Sequence, residues 1–346
     1  MVLSDRIRSG VWPNVSKPTY SEVANLANVG TATVERVLNG RGGVRPETVE
    51  KVLLAARALD WPGRLPERHR GIIRIEVILV RPDTSFYARL ARAFRRIATS
   101  LDPSIQIQLT FLRESDPQAI ADRILNPPMR RSGLAVVCPA YDEVAAALAE
   151  VARTGLPIVQ IVSRILEDLA YVGIDNVGAG RLAAMMVSRL GSVQGTVIAL
   201  CHSQIYEVHR DRIRGFSDYM DANLRTGLAF NLVAFGHDEQ DMSARRIAEA
   251  FKEWPDLAAV YNAGGANSSV LQVLRRARKK VFFVGHELTD ITRSALSDGV
   301  ADVILDQAPE AQARRTTDLL LSKIGLLTEI VDNPPVRFIT ITPENL

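Results

Sequence analysis

Residues 18–52 read PTYSEVANLANVGTATVERVLNGRGGVRPETVEKV, with two short apolar-periodic segments on either side of a tight Asn28-Val29-Gly30 turn. Val23, Ala24 and Ala27 recur at helical spacing before the turn, and Val34, Val37 and Leu38 after it. Two helices joined this way form a helix-turn-helix. Such a unit lays its second helix in the DNA major groove while the first crosses the phosphate backbone.

The stretch VANLANVGTATVERVLNG followed by VRPETVEKV resembles the headpiece of the lactose-repressor (LacI/GalR) family of bacterial transcription regulators. In that pattern VA opens the first helix, TVERVLN lies in the recognition helix, and VRPET starts a third helix. The resemblance implies that Thr31, Ala32 and Arg36 face base edges, and that Thr19, Thr33 and Asn39 meet phosphates. An Arg at such a position can donate two parallel hydrogen bonds to a guanine, whereas phosphate contacts position the protein without reading sequence. Two places depart from the pattern. Glu35 stands where the family usually carries a Ser, so its carboxylate must pair with an Arg or accept from a cytosine amine. The family's hinge helix is not recognisable in GRLPERHRG, where Leu65 is the candidate minor-groove wedge and Pro66 tolerates only a first helical turn.

Composition agrees with a small basic module on a larger body. Residues 1–70 carry eleven Lys and Arg against seven Asp and Glu, which is +4 of a whole-chain net charge of +3 and leaves −1 for the remainder. A locally basic module suits a polyanionic partner, because each neutralised phosphate releases counterions. The chain has 346 residues, 47% of them hydrophobic, which is enough for a sizeable core. No apolar run approaches the roughly 20 residues of a membrane span, and the first residues lack an apolar signal core, so a cytoplasmic protein without membrane contact is expected. Cys138 and Cys201 fit neither a disulfide framework nor a zinc spacing and are expected as small buried residues; no metal or cofactor is expected.

After Trp61 the text turns to prolines, glycines and arginines, PGRLPERHRG, and reads as a linker. Beyond it, β-rich runs alternate with amphipathic helical stretches: IRIEVILV from Ile73, IQIQLTF from Ile105, LAVVCP from Leu134, PIVQIV from Pro157, TVIALC from Thr196, LVAFG from Leu232, LAAVYNAG from Leu257, KVFFVGHE from Lys280 and ADVILDQ from Ala301. Strands alternating with helices argue for parallel sheets covered on both faces, and this many strands suggests two sheets, one per lobe. The expected class is therefore α/β: an N-terminal helix-turn-helix, three-helix headpiece followed by a two-lobed, periplasmic-binding-protein-like domain with two parallel sheets. By resemblance the helix-turn-helix domain covers 17–62, the linker 63–71 and the effector-binding domain 72–346, its first lobe about 72–175 and 306–330, its second about 176–305 and 331–346 with the last strand VRFITIT.

Open α/β sheets bind ligands at the carboxyl ends of their strands, so two lobes imply a cleft. The same resemblance, to ribose-type binding proteins, implies effector contacts from Arg212 in DRIRGF, Asn262 at the end of AAVYN, Glu287 after VFFVGH and Gln307 after VILD, with Phe86 and Tyr87 as the aromatic pair. Donors, acid and amide acceptors and aromatic faces suit a sugar or polyol. Val162 occupies the place of a sugar-gripping Asp in those binders, and Arg164 just beyond it would favour an acidic ligand if it entered the cleft. The run Gly178-Ala179-Gly180-Arg181-Leu182-Ala183 imitates a dinucleotide fingerprint, but the next strand ends in Ala199-Leu200-Cys201 without the acidic residue such a site uses, so these glycines read as a helix start. His202, His209 and His286 belong to no nucleophile or metal motif. The expectation is a ligand-controlled DNA-binding regulator, most simply a repressor, acting as a homodimer on a pseudo-palindromic operator and not an enzyme. The alternatives are a sugar-acting enzyme and a pure sugar-binding protein on the same fold.

Overall fold

The computed structural model describes residues 17–62, 72–82, 84–203, 205–223, 227–277, 279–327 and 329–346. The linker 63–71, with its candidate wedge Leu65, lies outside the described residues. The chain divides into two compact units, Met1–Gly71 and Ile72–Leu346.

In the first unit, α1 (Tyr20–Ala27), α2 (Thr31–Leu38) and α3 (Pro46–Ala58) surround a small core of Val23, Ala24, Ala27, Val34, Val37, Val52, Leu53, Ala55 and Ala56. Thr19 starts α1 with a reciprocal capping box: the Glu22 amide donates to its hydroxyl at 3.3 Å, and the Glu22 carboxylate accepts from the Thr19 amide at 2.7 Å. Asn28 ends the helix in the left-handed region, φ 52°, and turns the chain sharply into α2.

The second unit contains two sheets. The first is built from β1 (Ile73–Val80), β2 (Ile105–Leu112), β3 (Gly133–Val136), β4 (Ile158–Ile161) and β5 (Ala170–Val172), parallel throughout in the order β2-β1-β3-β4-β5. The second holds β6 (Gly195–Cys201), β7 (Leu228–Phe235), β8 (Leu257–Asn262), β9 (Phe282–His286), β10 (Val303–Asp306) and β11 (Ile339–Ile341) in the order β11-β10-β9-β8-β6-β7, antiparallel only at β11. Central strand β1 is apolar on both faces because helices cover both, while the edge strand β2 is only partly buried. Glu76 is the buried exception within β1, beside a half-buried Arg74, and its carboxylate is held by Arg123 at 2.6 Å, Arg131 at 2.8 Å and the Thr110 hydroxyl at 2.8 Å. A buried carboxylate without such partners would be strongly destabilising.

Helices α4 (Ser85–Ser100), α5 (Pro117–Leu125) and α6 (Asp142–Arg153) belong to the first lobe; α7 (Asn176–Leu190), α8 (Glu207–Asn223), α9 (Gln240–Glu253), α10 (Asn267–Ala277) and α11 (Asp290–Ser297) belong to the second. Helix α12 (Pro309–Lys323) follows a strand of the second sheet yet packs on α4 and β4 of the first. Among the described residues the chain thus passes between the lobes after Ile174, after Asp306 and after Val336. The last segment is not one continuous strand: Val336 bridges to Ile174 beside the first sheet, and only Ile339–Ile341 pairs with β10. A chain crossing between two sheets cannot stay in one ladder, which divides VRFITIT in two.

The Gly178–Ala183 run lies within α7, where Gly180 packs against α8: a Cβ on Gly180 would stand 2.0 Å from the Arg212 carbonyl oxygen, and one on Gly215 2.1 Å from that of Val177. These two glycines let two helix backbones touch.

Candidate functional site

On α2, Val34 and Val37 point into the headpiece core, which leaves Thr31, Ala32, Glu35, Arg36 and Asn39 exposed along the opposite face. Their spacing is helical, so they form one stripe. Glu35 is paired, as its carboxylate lies 3.4 Å from the Arg41 guanidinium. The Asn39 amide donates to the Glu35 carbonyl at 2.9 Å and closes the helix end. Thr33 is half-buried at the first turn. Thr19 caps the start of α1. Its hydroxyl donates to Glu22 at 2.9 Å and accepts the Glu22 amide, so its one proton is committed to the cap and a carboxylate sits beside it. That arrangement disfavours a phosphate there.

The carboxyl ends of the two sheets face each other across a cavity of about 670 Å³. Arg212 is the best anchored residue in its wall. Only 3% exposed, it donates from Nε to Asn176 Oδ1 at 2.9 Å, from Nη1 to the Ala263 carbonyl at 2.8 Å and from Nη2 to Gln307 Oε1 at 2.5 Å. Gln307 passes the chain on, its Nε2 donating to Glu287 Oε1 at 2.5 Å. Burial, together with the nearby Asp306, pushes the Glu287 carboxyl up to about 8 even though Arg89, Gln307 and Arg212 oppose it. Phe86 and Tyr87 line the first-lobe wall edge to face, their ring centroids 5.3 Å apart.

Two arginines of the first lobe cross to the second. Arg89 on α4 donates to Asp306 Oδ2 at 2.5 Å, to Glu287 Oε2 at 3.2 Å and to the Leu288 carbonyl at 3.2 Å, and it also holds Glu310 at 3.0 Å. Arg81, just after β1, lies 3.1 Å from Asp238 in the second lobe and 3.2 Å from Glu114 in its own. Burial would raise the Asp238 carboxyl, but the His209 imidazole where it is protonated, Arg81 and the Gly265 amide at 2.6 Å outweigh it and leave it below the usual carboxylate range. Burial also drives His209 down to about 3, so it is neutral, and its Nδ1 has no hydrogen-bond partner; the Nδ1 of His286 is likewise unpartnered. Both histidines line the cavity. Orphaned buried donors or acceptors are uncommon, and at a cavity wall they point to a ligand or water.

Of the seven residues expected around an effector, Phe86, Tyr87, Arg212, Glu287 and Gln307 line this cavity; Asn262 and Arg164 do not. Asn262 is fully buried, its amide donating to the Gly265 carbonyl at 2.7 Å and to Asn267 Oδ1 at 2.8 Å; it shapes the loop that presents Asn267 to the cavity. Arg164 is displaced because Gln160 Oε1 accepts the Ile165 and Leu166 amides at 2.7 and 2.8 Å and turns the chain. Its guanidinium then pairs with Glu167 at 2.9 Å and stacks 4.9 Å over the Tyr171 ring. Val162 does line the cavity, with φ 70° and its carbonyl held by the Tyr171 hydroxyl at 2.7 Å. Sequence reasoning missed Arg81, Arg89, Asp238, His209 as a wall residue, and Asn267. Position was a signal only for Arg81, which directly follows β1, and for Asp238, three residues past β7.

The model of the bacterial regulatory proteins, lacI family, matches residues 19–62, and that of the periplasmic binding protein domain matches 79–325. The chain belongs to the lacI family of bacterial regulatory proteins. It is a transcription regulator of that family, a helix-turn-helix headpiece joined to a periplasmic-binding-protein domain. The chain is similar to the HTH-type transcriptional regulator CelR of Thermobifida fusca, 25% identical over 94% of this chain and 96% of that one. It is also 25% identical to the sucrose operon repressor of Pediococcus pentosaceus over 61% of this chain and 63% of the relative. The fold matches that of GanP, a glucose-galactose binding protein from Geobacillus stearothermophilus, with a TM-score of 0.71 at 16% identity, over 80% of this chain and 99% of that one. Among the described residues no helix is long and apolar enough to cross a membrane, and no cluster could hold a metal ion.

Proposed function

We propose that this regulator is a cytoplasmic repressor that binds a pseudo-palindromic DNA operator as a homodimer and is controlled by a neutral, polyhydroxylated effector in the interlobe cavity. Thr31, Ala32 and Arg36 read base edges, and Thr33 and Asn39 approach phosphates. Phe86 and Tyr87 stack on the C–H face of the effector; Arg212, Glu287 and Gln307 bond its hydroxyls, together with Asp238, His209 and Asn267. The observation that carries the effector class is charge balance within the wall: Arg81 faces Asp238 and Glu114, Arg89 faces Asp306 and Glu310, and this surplus of carboxylates also offsets Arg212, whose own hydrogen bonds go to neutral acceptors. Little net charge remains for an ionic ligand, and aromatic faces beside amide, acid and imidazole groups suit hydroxyl pairs. The repressor reading is supported by the relative named as the repressor of a sucrose operon.

We read the cavity as a sensor and not a catalytic site. A neutral His209, held far below the ordinary imidazole range, is a poor proton carrier near neutral pH. Duplexes selected from a random pool on the full chain test the function. Saccharides are expected to shift the selected duplex's affinity without being consumed. Equal affinity for selected and random duplexes, or turnover of a bound saccharide, would overturn the reading.

A further inference from the structure

Beyond Arg81 the interlobe space continues into a second chamber of about 650 Å³. It too is walled by both lobes, with Phe111 and Tyr141 from the first and His202, Ile205 and His237 from the second. The two chambers share Arg81 and Glu239, so the cross-lobe bridge from Arg81 to Asp238 stands between them. We propose that the effector contains at least two sugar rings, one in each chamber, with Arg81 at the linkage. This rests on reading the inner chamber as a polyol site.

Three observations favour two rings over one. Each chamber alone falls within the roughly 300–1,000 Å³ typical of a small-molecule site, and a single pyranose fills only part of one. The outer chamber presents apolar surface to solvent, Phe111 at 38% and Ile205 at 44% exposure, where a ring can lay its C–H face. Arg81 is held at the junction by a left-handed backbone, φ 52°, and its two ion pairs use Nε and Nη1, two of the three nitrogens of a guanidinium that has five N–H donors.

The main competitor is a phosphorylated monosaccharide whose anion would sit in the outer chamber near Arg113, His202 and His237. Charge argues against it. Glu114 and Glu239 lie in the same wall, Arg81 already faces two carboxylates, and His202 Nε2 sits 3.6 Å from Glu114 with burial holding its imidazole below the ordinary range.

The experiment is calorimetric titration of the full chain with glucose, galactose and fructose, with sucrose, maltose, lactose and cellobiose, and with glucose 6-phosphate, for wild type and Phe111→Ala. Phe111 is exposed, so its truncation leaves the core intact. At least one disaccharide is expected to bind about tenfold or more tighter than either of its component monosaccharides, with Phe111→Ala removing most of that margin. If a monosaccharide binds as tightly as every disaccharide containing it, or Phe111→Ala leaves disaccharide affinity unchanged, the two-ring proposal falls and the polyol reading stands. Preference for glucose 6-phosphate overturns it in favour of an anion. If no saccharide binds the folded protein, the polyol reading itself fails.

Discussion

Glu287→Gln separates the electrostatics of the cavity from its shape. The wild-type carboxyl is raised from 4.5 to about 8, first by burial and then by Asp306. A group with a raised native pKa binds more protons folded than unfolded between those two values, so its contribution to stability is complete below pH 4.5 and is lost as pH climbs to 8. The buried histidines act elsewhere. His209 and His286 have lowered native values, so the stability they contribute falls away only below about pH 6.5, the unfolded imidazole value. Cys138 and Cys201, pushed up to about 12 from 9, act on stability only at higher pH. Among the described residues Glu287 is the group raised into the window from about pH 6.5 to 8. At about 1.4 kcal/mol per unit, wild type is expected to lose about 2 kcal/mol across it. Glutamine keeps the shape of the neutral acid, and Arg89 retains Asp306 and Glu310. Urea denaturation followed by circular dichroism at both pH values reads the difference: the variant should be nearly flat where wild type declines. Parallel slopes for the two proteins would mean that Glu287 is not the group that titrates in this window.

Arg36→Ala is expected to reduce preference for a selected duplex over a random one by about 1–3 kcal/mol, measured by fluorescence anisotropy, with a smaller change in random-duplex affinity; equal losses on both would deny it a base-reading role. Thr19→Ala should cost the headpiece about 1 kcal/mol in thermal unfolding, the usual value of an N-cap, and leave the salt dependence of DNA binding unchanged. Arg212→Ala removes the donor from three buried acceptors and is expected to abolish the response to saccharide while DNA affinity stays within about twofold, since the headpiece has its own core. Gly180→Ala drives a methyl into the Arg212 carbonyl and should destabilise the body by about 1–3 kcal/mol or more while weakening saccharide binding, as calorimetry would show.

What could be read from sequence and what could not divide along the range of the interactions. The headpiece is local: Val23, Ala24, Ala27, Val34 and Val37 declare their period within a few turns, and their burial leaves the Thr31–Asn39 stripe outside. The first strand is equally plain, since IRIEVILV is continuous enough to demand cover on both faces. The strand-end rule then leads to Glu287 and Gln307, because both follow strands directly. It does not lead to Arg81 with Asp238 or to Arg89 with Glu287, whose members stand 157 and 198 positions apart and meet only when the lobes do. Nor does it distinguish Asn262 from Asn267. Both flank one turn, and only the hydrogen bond between them decides that the first supports and the second faces the cavity.

Backbone strain explains why the strand ends are effective. Arg81, Val162, Asp238 and Glu287 each lie one to three residues beyond a strand and each has a positive φ, between 52° and 71°. A side chain with a Cβ is disfavoured there, and Val162, being β-branched, more than most, at a cost of order 1–3 kcal/mol per residue. Four such residues in one cavity wall are not a by-product of turning the chain, for which glycine would serve at no steric cost. In each case tertiary contacts hold the strained residue: Arg81 through Glu114 and Asp238, Val162 through the Tyr171 hydroxyl, Asp238 through the Gly265 amide, Glu287 through Gln307 and Arg89. Two of those four restraints include a bond between lobes, Arg81 to Asp238 and Glu287 to Arg89. A ligand that exchanges its own hydroxyls for the Arg81–Asp238 or Glu287–Arg89 bonds therefore acts on wall geometry and lobe contact together, which gives this fold a direct route from occupancy to lobe arrangement.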